Sequence, residues 1–241
     1  MGGIKTFLIK YFPSLGKLKR WLVAALDSGS ANKSTYSQFG EDVFITEKLE
    51  EYDLITALYV DVGANHPTDI SNTYLLYRKG YSGIVIEPNA ELIGLFRTFR
   101  KRDIAMMIGC SNVCSILKFN ISKTPVLSSF SGDRDNLNVY KQVYVPVLTL
   151  DAAMTNIECP IVSFLNIDVE GLNFQVLEGA VELLKRTLLL CIEFDTEEDK
   201  VKIKTILGDQ FELINVFHCN LIFLNSKLSI SLRHKAHQLA H

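Results

Sequence analysis

The 241-residue chain has no Gly-x-Gly-x-x-Gly turn, no Tyr-x-x-x-Lys pair, no Cys-x-x-Cys and no internal repeat. The first absence weighs against a dinucleotide, because a pyrophosphate demands close backbone approach that one glycine hardly supplies. The second removes the pair expected of an NAD-linked sugar oxidoreductase or epimerase, which stays open only as an alternative. Five cysteines, at 110, 114, 159, 191 and 219, make an odd set without zinc spacing. Most sit in apolar runs such as "LLLCIEF", where a free thiol behaves as a small hydrophobe. A reducing, cytoplasmic setting is the expectation. Net charge is only −2 with a pI near 6.2, so a basic excess for nucleic acid is missing as well.

Long apolar runs are also missing at the N-terminus. "IKTFLIKYFPSLGKLKRWLVAAL" is broken by Lys10 and Pro13, short of the ~20 apolar residues that span a bilayer. It also lacks a signal peptide's long apolar stretch and cleavage site. It carries Lys5, Lys10, Lys17, Lys19 and Arg20 and no acid before Asp27. Two readings fit residues 1–26: a basic amphipathic segment lying peripherally on the anionic inner face of a membrane, or a helix packed on the domain or a partner.

What is present is a 48% hydrophobic, 22% charged composition, ordinary for one globular domain with a sizeable core. The divisions expected are a basic extension over 1–35, a main domain over 36–225 and a weakly periodic, mobile tail over 226–241. Short apolar runs at 57–62, 83–88, 104–109, 161–168 and 188–194 read as central parallel strands covered on both faces. Helical patterns fall between them. One at 89–102 is capped by Asn89 and ends in Arg97, Arg100, Lys101 and Arg102, cations suited to a negative helix terminus. Another at 171–186 places Leu172, Val176, Leu177, Ala180 and Leu184 on one face.

Such alternation implies right-handed crossovers and a doubly wound open sheet. "FELINVF" and "NLIFLN" are separated only by His218 and Cys219, so the sheet should close on an antiparallel hairpin. That ending belongs to methyltransferases that use S-adenosylmethionine (SAM), and a plain dinucleotide fold does not require it. Residues 110–150 interrupt the alternation with an inserted hairpin or loop, and 122–142 are expected to build an acceptor pocket.

Four strand ends carry acids: Asp61, Glu87, Asp168 with Glu170, and Glu193 with Asp195. Ligands of open α/β sheets bind beyond the strands' carboxyl ends. Glu87, 26 residues after Asp61, is placed to accept hydrogen bonds from ribose hydroxyls. Gly63 and Ala64 allow close ligand approach, and Asp61 suits a cation or ammonium, which favours SAM over NAD. Asp168 and Glu170, then Glu193, are candidate bases or hydroxyl-orienting groups. The same three carboxylates are alternative Mg²⁺ ligands, a reading that is not favoured. His66 has a suitable unperturbed pKa for proton transfer, or is a turn residue bonding local backbone. His218 is read mainly as a solvated turn residue.

"VDVGANHPTDISNTYLLYRKGYSGIVIEPNAEL", "VPVLTLD" and "FLNIDVEGLNFQVLEGA", with "YSQFGEDVFI" upstream, resemble the FkbM family of SAM-dependent methyltransferases. The resemblance implies a class I, Rossmann-like, mostly parallel seven-stranded sheet ending in an antiparallel hairpin. It also implies O-methylation of a sugar hydroxyl, on a glycan or nucleotide-linked sugar of surface-polysaccharide synthesis. By position, Asp61, Gly63, Ala64 and Asn65 would line the methionine part of SAM, and Glu87 would hold its ribose. Pro88, Asn89 and Ser111 would border the adenine, while Ser37, Gln38 and Asp42 would close over the cofactor. His66-Pro67 departs from the glycine-rich form of this turn. A non-catalytic glycan-assembly module recruited to a membrane is the alternative outside enzymes.

Overall fold

The computed structural model describes residues 13–29, 34–54, 56–123, 128–130 and 139–239. After α1 (Pro13–Gly29) and α2 (Glu41–Glu50), the chain alternates β1 (Leu58–Val62), α3 (Tyr74–Arg78), β2 (Gly83–Ile86), α4 (Ala90–Phe99) and β3 (Ile104–Met106). It then leaves the main sheet for β4 (Gly109–Cys110), β5 (Ser115–Ser122) and β6 (Val139–Leu148), followed by the short α5 (Leu150–Ala153). It returns through β7 (Val162–Ile167), α6 (Asn173–Glu178), α7 (Val181–Lys185), β8 (Thr187–Glu193) and α8 (Glu197–Leu207). The hairpin β9 (Phe211–Phe217) and β10 (Asn220–Asn225) and the helix α9 (Ser226–Leu239) complete the domain.

The main sheet has seven strands in the order β3-β2-β1-β7-β8-β10-β9. Only β10 is reversed: it runs antiparallel to both β8 and β9. This is the doubly wound sheet and antiparallel hairpin expected from the apolar runs and the two-residue gap, in the class I methyltransferase order that the resemblance implies. Strand order reverses between β1 and β7, which opens a crevice at their carboxyl ends. The apolar runs are buried as two-sided strands must be. Val60, Val62, Ile84, Leu165, Ile167, Leu190 and Ile192 face one core layer, and Tyr59, Val85, Phe164, Leu189, Cys191 and Ile222 face the other.

Several elements depart from the local sequence pattern. The run at 104–109 is two strands in two sheets: β3 pairs with β2, and β4 pairs with β6. The insertion is thus a small sheet, β4-β6-β5, with its own core of Phe119, Ile121 and Val145. The pattern at 171–186 is two helices rather than one. A Cβ on Gly179 would meet the Ser111 carbonyl oxygen at 2.3 Å, and the Gly179 carbonyl accepts from Asp151 N at 3.1 Å. Asp151 then caps α7 from outside, accepting from Glu182 N (3.0 Å) and Leu183 N (2.8 Å). "VLTLD" and "VLEGA" therefore interlock as structure.

The stretch 226–241, expected to be mobile, instead forms α9 through Leu239; Ser229 is buried against the Tyr52 hydroxyl at 2.8 Å. At the other end, α1 packs on the domain. Lys17 and Arg20 pair with Glu91 at 2.8 and 2.7 Å, and Trp21 meets Phe99 edge-on at 5.9 Å. Residues 1–12 of the basic extension lie outside the described residues. No described helix is long and apolar enough to cross a membrane.

Candidate active site

A cavity of about 300 Å³ lies over the carboxyl ends of β1, β2, β7 and β8. Of the sequence-predicted residues, it is lined by Asp61, Gly63, Ala64, Asn65, Glu87, Pro88, Asp168, Glu170, Glu193 and Gln38. Asn89, Ser111, Ser37, Asp42 and His66 do not line it.

Gly63 is required for a reason other than a ligand. Its φ is +78°, and a Cβ there would stand 1.9 Å from the Asp168 carbonyl oxygen. The glycine lets the first turn abut the end of β7. Gly63 N and Ala64 N both donate to the Ile86 carbonyl, at 3.0 and 3.1 Å. Neither amide is free to cradle a phosphate, which is a physical reason to set the dinucleotide reading aside.

Glu87 extends from the end of β2 and is 5% exposed. Its Oε2 accepts from Asn65 N at 3.0 Å and its Oε1 from Asn89 N at 2.8 Å. Asn65 reaches this position with a left-handed φ of 49°, a conformation Asn tolerates. Each carboxylate oxygen keeps a lone pair for a hydroxyl donor. Burial pushes the Glu87 carboxyl up to about 7, against the pull of the two backbone N–H groups. Beside it, Ile86, Pro88, Ile108, Phe119 and Phe130 give the cavity an apolar part. Asn89 instead caps α4, accepting from Glu91 N at 3.0 Å.

Asp61 is held from two sides. Its Oδ1 accepts from Asn166 Nδ2 at 2.9 Å, and its Oδ2 accepts a short hydrogen bond from the Thr73 hydroxyl. Asn72 Nδ2 donates to Asn166 Oδ1 at 3.0 Å. Arg100 completes the set: Nη2 donates to Thr73 Oγ1 (3.0 Å) and to the Tyr59 hydroxyl (2.8 Å), and Nε donates to Asp103 (2.6 Å). Its Nη1 reaches the Pro67 carbonyl (3.3 Å) and Ser71 Oγ (3.5 Å). These contacts brace a loop whose Ile70 holds φ at 51°, strained for a β-branched residue and placed at the cavity wall. Burial raises the Asp61 carboxyl's pKa; Arg100, Thr73 and Asn166 oppose that rise.

At the far side, β7 and β8 run parallel with Ile167 beside Ile192, which brings the next residues, Asp168 and Glu193, together. Asp168 and Glu193 stand side by side, and the Asp168 pKa is pushed up by partial desolvation, by the Glu193 carboxyl, and by Glu170 and Asp61 beyond. Asp168 itself is exposed in the cavity. Asn173 bridges the two strand ends, accepting from Val169 N (2.9 Å) and donating to the Glu193 carbonyl (3.0 Å). Among the described residues, no group of three or more His, Cys, Asp or Glu could hold a metal ion.

His66, named from sequence as a proton carrier, has the turn role. Its Nδ1 accepts from Thr68 N (3.3 Å) and Asp69 N (3.1 Å), and its Nε2 lies 3.1 Å from the Arg20 carbonyl. Burial lowers its pKa, as suits a neutral ring bridging α1 to the turn. His218 stacks on Phe39 at 4.6 Å. Asp42 organises the lead-in, accepting from Tyr36 N, Thr35 Oγ1 and Ser37 Oγ at 2.6, 2.6 and 2.7 Å. Gln38 alone of that segment lines the cavity. From 122–142, Ser128, Ser129 and Phe130 line it, while 124–127 and 131–138 lie outside the described residues.

Sequence reasoning missed Thr73, Asn72, Asn166 and Arg100. Asn166 had a local signal, a polar side chain inside the apolar "SFLNI". Arg100 had none: the sequence reads it as a solvated cation at the end of a helix, yet it is fully buried.

No curated protein sequence matches the chain. Solved structures similar in fold include monomeric WbdD, 11% identical over 83% of this chain and 43% of that one, with a TM-score of 0.44. The chain therefore spans less than half of WbdD. The METTL16 MTase domain is 8% identical over 76% of this chain and 64% of that one, TM-score 0.43. Magnesium protoporphyrin IX methyltransferase from Synechocystis PCC 6803, solved with bound SAM, is 13% identical over 92% and 97%, TM-score 0.44. The family model for the methyltransferase FkbM domain matches residues 61–221. That match runs from the first cavity carboxylate to the reversed strand β10, and on it the chain belongs to the FkbM methyltransferase family.

Proposed function

We propose that the chain transfers a methyl group from SAM to a sugar hydroxyl. The observation that carries this reading is one cavity with two unlike acidic ends. Glu87, held by two backbone N–H groups, faces an apolar wall, and the Asp168–Glu193 carboxyl pair stands at the other end. The first end fits a nucleoside: Glu87 would take the ribose hydroxyls, and Ile86, Pro88, Ile108 and Phe130 the base. Asp61 would face the positively charged portion of SAM, which supplies an electrophilic methyl on a sulfonium.

The protein's own part is to orient the acceptor and take its proton. Orientation of two reactants contributes up to ~7–11 kcal/mol in favourable cases. In its ionised form Asp168 would accept the hydroxyl hydrogen, and its raised pKa makes it a stronger base than an ordinary carboxylate. Neutral hydrogen-bonding groups, Ser71, Asn72, Ser128, Ser129 and Gln38, share the cavity. Among its described lining residues there is no Lys, Arg or His. A neutral glycan hydroxyl suits that wall better than a nucleotide-linked sugar, whose pyrophosphate would meet the carboxylates of Asp168, Glu170 and Glu193. With labelled SAM, uncharged oligosaccharides are therefore expected to be methylated in preference to nucleotide sugars. The opposite preference would refute the neutral acceptor.

The cofactor end is tested by calorimetry with S-adenosylhomocysteine, the demethylated cofactor. Glu87→Ala is expected to weaken binding roughly 10–100-fold, since a hydrogen bond to a charged group is worth ~1.5–3 kcal/mol. Unchanged affinity would remove the ribose assignment. The wild type should also bind more weakly as pH falls through about 7, because hydroxyl donors select the ionised Glu87. In the free protein the sign is reversed. A raised folded-state pKa stabilises at low pH, and that contribution is lost as pH rises through about 7. Glu87→Ala should remove the part of each dependence that is centred near 7.

A further inference from the structure

The amphipathic helix α1 is mounted with its polar side inward. Successive residues step 100° around a helix, so Lys17, Arg20 and Ala24 share one side. That side meets the domain: Ala24 is fully buried, and Lys17 and Arg20 pair with Glu91. The Arg20 carbonyl also contacts His66. Leu18, Leu22 and Leu26, at i, i+4 and i+8, point the opposite way and are 53%, 45% and 72% exposed. Trp21 stands at the border, 46% exposed. A helix that only completes a globular core turns its leucines inward; here ion pairs hold the helix and the leucines are left for something else.

Charge identifies the occupant. Lys19 stands beside the stripe and is exposed, and Lys17, though paired with Glu91, remains exposed beyond the other edge. Residues 1–26 hold five Lys or Arg and no acid, leaving 20 basic and 27 acidic residues in the remainder. Residues 1–12, which lead into the helix, add Lys5 and Lys10 among Ile4, Phe7, Leu8 and Ile9. A leucine stripe rimmed by lysines, with Trp at its edge, matches a helix lying in the plane of an anionic bilayer surface. We propose that α1 docks this methyltransferase onto an anionic lipid surface through Leu18, Trp21, Leu22 and Leu26, with the flanking lysines at the headgroups.

Trp21 is the only tryptophan in the chain, so emission from the full-length protein reports on this helix directly. Vesicles of phosphatidylcholine mixed with phosphatidylglycerol are expected to shift that emission to the blue. Phosphatidylcholine alone should do so weakly, and added salt should reverse the binding. Leu22→Asp/Leu26→Asp, at exposed positions, is expected to lower the partition constant at least about tenfold. S-adenosylhomocysteine affinity in that variant should be unchanged, which shows that the domain is intact. No shift with anionic vesicles, or a shift preserved in the double variant, would overturn the proposal. So would a blue shift on raising protein concentration without lipid, accompanied by a dimer mass in light scattering. That result would assign the stripe to a second copy of the chain.

Discussion

Asp168→Asn is expected to lower kcat by ~10²–10⁴-fold, the usual contribution of a general base, while changing S-adenosylhomocysteine affinity little. The asparagine preserves the size and hydrogen-bonding reach of Asp168 and removes only its capacity to take a proton. The pH dependence distinguishes this role from a structural one. In the wild type the Asp168 pKa is raised by partial desolvation and by the neighbouring Glu193, so kcat should rise with pH through a limb above the ordinary carboxylate range. In Glu193→Gln the like charge is gone, and that limb should move to lower pH. Steady-state kinetics with labelled SAM across pH reads both. If Asp168→Asn retained wild-type kcat, the base would have to be sought elsewhere in the cavity.

The second large effect lies away from the reacting atoms. Arg100→Met is expected to destabilise the domain by about 3–5 kcal/mol, the cost of leaving buried partners of an ion pair uncompensated. Asp103 loses its cation, Tyr59 and Thr73 lose a donor, and the loop bearing Ile70 and Ser71 loses two of its braces. Urea unfolding measures this. Arg100→Lys should rescue little, because one ammonium cannot reach partners spread around a planar fork. Thr73→Val removes only the hydroxyl between Arg100 and Asp61. It should leave stability nearer wild type and raise the Asp61 pKa further, so that cofactor binding weakens most at low pH. A uniform loss at all pH values would mean that Thr73 shapes the loop without tuning the carboxylate.

Both predictions concern contacts between segments far apart in the chain, and this separates what was legible in the sequence from what was not. Strand positions, the antiparallel hairpin and the acids at strand ends could be read directly. Each depends on a local pattern: an apolar run, a two-residue gap, a polar residue closing an apolar stretch. These patterns pointed to a doubly wound sheet closing on a hairpin, and the resemblance carried by the motifs supplied the class. Glu87 was legible because its distance from Asp61 places it at the next strand's end.

The failures are equally physical. His66 looks like a proton carrier from residue type alone, but both ring nitrogens are engaged by backbone that includes Arg20, 46 residues away. Gly63 does line the cavity, but the atom that a side chain there would strike is the carbonyl of Asp168, which nothing in the local sequence reveals. Gly179 interrupts a well-formed helical pattern because Ser111 and Asp151 occupy the space beside it.

The layers, the main-sheet strands and the sheet edge that carries the acids are legible in the sequence alone, since hydrophobic period and turn length act over neighbouring residues. Only the tertiary structure decided the rest. It joined Asp168 to Glu193, turned Arg100 from a helix-end cation into a buried brace, and set α1 with its leucines outward. Each of these arrangements is set by which distant atoms fill the space around a side chain, and local periodicity carries no record of that.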